Sequence, residues 1–87
     1  MASIEEIKAA LAQAAEQGST THNQIQAALN GTEQVLARLR AVSAGTNHSK
    51  ITEAITRAEQ SRQRLGEAAA LIQGSSTAAR EYASVLG

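Results

Sequence analysis

The side chains able to do chemistry are few and scattered. His22 and His48 are the two imidazoles, and the chain has no Cys. A metal site or an imidazole general base needs further ligands or an orienting carboxylate within reach. Neither His has an Asp or Glu three or four residues after it. Ser and Thr recur, yet no Gly-x-Ser-x-Gly elbow and no Gly-rich phosphate loop presents one. Asn30-Gly31-Thr32 spells the glycosylation tripeptide, a pattern short enough to arise by chance. Lys50, Arg57, Arg62 and Arg64 form a basic stretch that Glu53 and Glu59 interrupt. Glu53 lies four residues before Arg57, the favourable order for a helical ion pair, so this stretch reads as a solvated helix face. His48 sits where it would cap or hydrate a helix start. The expectation is a non-enzymatic chain with no catalytic residue, cofactor, metal ion or small-molecule substrate.

Composition narrows the classes further. The 87 residues carry eight basic and eight acidic side chains, for a net charge of zero. Duplex nucleic-acid binding is driven by phosphate neutralisation, and base stacking needs aromatic platforms; Tyr82 is the only aromatic residue. No stretch of 18 apolar residues could cross a membrane, and no Trp or Phe is available to anchor an interfacial helix. Met1-Ala2-Ser3-Ile4-Glu5-Glu6 lacks the basic start and apolar core of a secretory signal. A cytoplasmic chain is expected, with export by a non-Sec route left open.

The residues imply helices. Ala, Gln, Glu, Leu and Arg dominate and Pro is missing. Stepping by seven from Ile4 gives Leu11, Gly18, Ile25, Thr32 and Leu39; the line three further on gives Ile7, Ala14, Thr21, Ala28, Val35 and Val42. These two lines predict the seam of a long helix over 4–43. The neighbouring line, Lys8, Ala15, His22, Leu29, Leu36 and Ser43, is apolar mainly in its Leu pair. Ser3 and Glu6 have the spacing of a capping box. Ser43-Ala44-Gly45-Thr46-Asn47-His48-Ser49 interrupts the pattern, with Gly45 as a left-handed stop and Asn47 or Ser49 as the next cap. The rhythm resumes with Ile51, Ala58, Leu65, Ile72, Ala79 and Leu86, accompanied by Ile55, Arg62, Ala69, Ser76 and Ala83. A second helix over 49–86 follows, after a loop over 44–48.

Two helices of matched length imply an all-α antiparallel hairpin. The rival arrangement breaks the helices at Gly18, Gly31 or Gly74, but the apolar phase continues through all three. In a hairpin turning near residue 46, Gly18 is expected opposite Gly74, and Arg38 near Glu53. Arg62 would lay its stem along the seam with its head in water.

Large apolar side chains are too few for a thick core, and small scaffolds without disulfides or metals gain stability by oligomerising. Leu29 and Leu36, one step off the expected seam, would face a third helix. With Leu39, Ile51, Ile55 and Leu65 they form the expected partner interface, which a second hairpin would complete into a four-helix bundle. The partner expected is a second copy or a similar helical hairpin.

Several segments carry a resemblance. Asn47-His48-Ser49-Lys50-Ile51-Thr52-Glu53-Ala54-Ile55, Leu65-Gly66-Glu67-Ala68 and Ala79-Arg80-Glu81-Tyr82-Ala83-Ser84-Val85-Leu86 resemble small Ala-rich helical proteins of actinobacteria, a family of unknown function. Similar helical segments precede the toxin domains, deaminases among them, of polymorphic toxins. The architecture also resembles the type VII secreted helical hairpins, which pair into four-helix bundles. This chain has no Trp in the turn, and Leu86 stands four after Tyr82, where the export motif of that group has an acidic residue. The resemblance implies an exported or toxin-delivery hairpin as the alternative to a general interaction module.

Overall fold

The computed structural model describes residues 2–87; Met1, counted among the large apolar residues, lies outside them. Two helices account for nearly all of the described chain: α1, Ile4–Ser43, and α2, Ser49–Val85. At 1.5 Å per residue, the 40 residues of α1 should span about 60 Å. The molecule is 63 Å long and 18 by 15 Å across, a two-helix rod folded back once.

Local chemistry sets the ends. The Ser3 hydroxyl accepts from the Glu6 amide at 3.1 Å, and Glu5 and Glu6 occupy the first turn, where the helix dipole favours negative charge. At the other end α1 tightens instead of reversing hand. The Ala44 amide donates to the Arg40 carbonyl and the Gly45 amide to the Val42 carbonyl. Gly45 is not in the left-handed region, contrary to its expected role as a left-handed stop. The cap of α2 also differs from expectation. It is neither Asn47 nor Ser49 but His48, whose Nδ1 accepts from the Lys50 amide at 3.1 Å. The capping place expected for this imidazole is correct.

Gly18, Gly31 and Gly74 all lie inside continuous helix. The seam of α2 has the expected register. Ile51, Ile55, Ala58, Arg62, Leu65, Ala69, Ile72, Ser76, Ala79, Ala83 and Leu86 are buried or half-buried in alternating steps of four and three; Glu53 and Ala54, near the turn, are half-buried besides. The seam of α1 differs. Leu11, Gly18, Ile25, Thr32 and Leu39 do face inward, but their companions are Lys8, Ala15, His22, Leu29 and Leu36. Leu36, expected to face sideways, is 0% exposed and is, among the described residues, the only large side chain fully buried; Val35 beside it is 49% exposed. α2 presents its bulk at Ile51, Ile55 and Leu65. The Leu pair of α1 fills the space opposite.

Small residues dominate the half far from the turn. Ala15, Gly18, Ala69 and Ser76 are buried there. A methyl added to Gly18 would overlap the Ser76 hydroxyl and stand 3.3 Å from its Cβ. The helices therefore approach closely at this point, and Gly18 opposes Ser76. Gly74, expected opposite it, is exposed with open space around it.

Candidate interaction surface

The two flanks of the seam are chemically opposite. One flank of α1 is the line Glu5, Ala12, Ser19, Gln26, Glu33 and Arg40; the matching flank of α2 is Thr52, Glu59, Gly66, Gln73 and Arg80. Side chains bridge the helices here. Arg40 reaches Glu59 at 3.2 Å, Arg62 reaches Glu33 at 3.3 Å, and the Arg80 guanidinium donates to the Ser19 hydroxyl at 3.0 Å. Among the described residues these are all the polar side-chain bridges between α1 and α2. The Arg62 stem lies in the seam, as expected, and its head is held by Glu33. Arg38 does not meet Glu53, which is held within α2 by Lys50 and Arg57, each at 2.9 Å. The Glu53–Arg57 pair is the one the sequence spacing implied.

The other flank carries no charge. On α1 it is Ile7, Ala14, Thr21, Ala28, Val35 and Val42, the line expected in the seam; on α2 it is Ala54, Ser61, Ala68, Ser75 and Tyr82. Leu71 and Val85 stand on the adjoining outer line of α2 and are 76% and 81% exposed. Of the six large apolar residues left exposed, Val35, Val42, Leu71, Tyr82 and Val85 belong to this side; Ile4, at the start of α1, is the sixth. Random scatter would have placed some on the charged flank.

The residues expected at a partner interface occupy the hairpin's own seam. Leu36 is fully buried, which removes it from any partner-facing surface. Leu29, Leu39, Ile51, Ile55 and Leu65 are half-buried between the helices. The uncharged flank was missed. Its signal is the lack of any charged residue along two lines, each on a different helix.

The two imidazoles are apart. His48 ends the turn, while His22 is half-buried in the seam beside a shallow groove with Ser19, Asn23, Gln73, Ser76 and Arg80. No group of three His, Asp or Glu side chains able to hold a metal ion occurs among the described residues. No helix is long and apolar enough to cross a membrane. The chain has no significant match among protein-family models, curated proteins or solved structures.

Proposed function

We propose that the chain is a non-enzymatic helical interaction module that self-associates or docks a helical partner. One observation carries this reading: the hairpin leaves too much surface uncovered. It exposes 6206 Å². A folded monomer of its mass is expected to expose about 4,900 Å², so the excess is about 1,300 Å². The radius of gyration, 19.4 Å, compares with about 12 Å for a globular domain of this length. Association supplies the missing burial.

Analytical ultracentrifugation with circular dichroism across a hundredfold dilution tests this. Helicity and mass should fall together on dilution, or rise when a partner captured from the host is added. A stably helical monomer whose melting temperature ignores concentration and partner would remove the reading. An exported or toxin-delivery hairpin remains the second reading, and the identity of the captured partner separates the two.

A further inference from the structure

We infer that the uncharged flank is the association surface and that its occupant is the same flank of a second copy. The inference rests on the interaction-module reading and narrows it to one face and one partner.

Three observations converge. First, α1 carries apolar residues on three adjacent lines, whereas a two-helix seam covers only two. An apolar face three lines wide is the pattern of a helix packed in a larger bundle. The hairpin used Leu29 and Leu36 for its own seam and left Ile7, Val35 and Val42 on the third line, the last two exposed. Second, area fits. Covering the excess on both copies would bury about 2,600 Å², within the 2,000–5,000 Å² of obligate homodimers. Third, charge permits a copy. The flank carries no Lys, Arg, His, Asp or Glu, so its centre can meet a copy of itself without a like-charge clash, and the net charge of the chain is zero. On the charged flank, Arg40 and Glu59, Glu33 and Arg62, and Ser19 and Arg80 already pair across the helices.

The face contributes small residues at Ala14, Ala28, Ala54 and Ala68 and larger ones at Val35, Val42 and Tyr82. Small positions let the backbones approach, and larger ones fill the space opposite them.

The test compares sedimentation of the wild type, Val35→Asp and Gln26→Asp at the same micromolar concentration. Val35→Asp charges the proposed face and Gln26→Asp the opposite one. Val35→Asp should raise the dimer dissociation constant at least a hundredfold, and Gln26→Asp should change it less than threefold. The second readout needs no variant. Tyr82, the only aromatic residue, lies on the proposed face and is 51% exposed in the single hairpin, so its fluorescence in the intact dimer should be quenched by acrylamide several-fold less than that of free N-acetyltyrosinamide. A wild-type dimer that Val35→Asp leaves intact, or Tyr82 quenching in the dimer equal to that of the free amide, overturns this face while leaving the interaction reading in place. A wild type that stays a folded monomer at every concentration overturns the second copy as occupant; if no partner changes its stability, the interaction reading falls as well.

Discussion

Two positions decide most of what a single substitution can do here. Leu36 is the one large side chain with no exposure. Leu36→Ala should cost about 2–5 kcal/mol in urea titration, the range for emptying a packed Leu site. Leu36→Asp should abolish helicity and association together. The cause is an unpaired charge in the seam rather than a lost docking contact. His48 is the other position. Its imidazole accepts the Lys50 amide through Nδ1, and the first turn of α2 contains no acidic residue. Asp is a better cap and adds charge of the favoured sign. His48→Asp is therefore expected to stabilise the hairpin by about 0.5–1 kcal/mol, seen as a higher urea midpoint.

At the scale of the helices, glycines inside regular structure separate close approach from weak propensity. Gly31, Gly66 and Gly74 have nothing within 4 Å of a would-be Cβ. Changing each to Ala should stabilise by up to about 1 kcal/mol through helix propensity alone. Gly18→Ala should fail to gain this, because the new methyl meets Ser76. Ser76→Gly removes the obstacle at a propensity cost of its own, so Gly18→Ala should be more favourable in that background, and the double-mutant cycle should show coupling well above the noise of distant pairs. The same contrast explains what was readable from the residues. Helix limits followed from Ser3, the Gly45 region and unbroken apolar phase. The α2 seam followed because Ile55 and Leu65 fix both of its lines. The α1 seam did not, since bulk flanks the line of Leu11 and Ile25 on both sides: Val35 and Val42 on one, Leu29 and Leu36 on the other. Counting apolar letters favours the Val line. Packing against α2 favours the Leu line despite Lys8 and His22, and only the partner helix reveals that choice. Cross-helix pairs such as Arg40–Glu59 depend on the same register, so Arg38–Glu53 was assigned one step away. The proposed association face is hidden for the same reason: its main line on α1 reads as core in the sequence.

For the whole molecule, shape makes the strongest statement. A side-by-side dimer with axes about 10 Å apart would keep a radius of gyration near 20 Å at twice the mass. An end-to-end dimer would be far longer, so small-angle scattering separates them. Orientation is set at the rim. Lys50, Arg57 and Arg64 line the outer edge of the uncharged flank near the turn, and Arg38 lines it on α1. Turns at the same end would bring these cations together; turns at opposite ends would place them beside the partner's Leu71, Ala78 and Val85. Labels on Thr46→Cys, unique in a chain without Cys, should thus lie roughly one rod length apart by energy transfer, the order of 63 Å. The single turn also has a kinetic consequence. Leu39 and Ile55, in the seam beside the turn, come together after closing a short segment, whereas Leu11 and Ala83, which line one groove, do so only after most of the chain has doubled back. Loop-closure entropy grows with the segment closed, so the rod should zip from residue 46 outward and fray from its open end. Substitutions at Leu36 or Ile55 should slow refolding, while those at Ala15 or Ala83 should chiefly hasten unfolding.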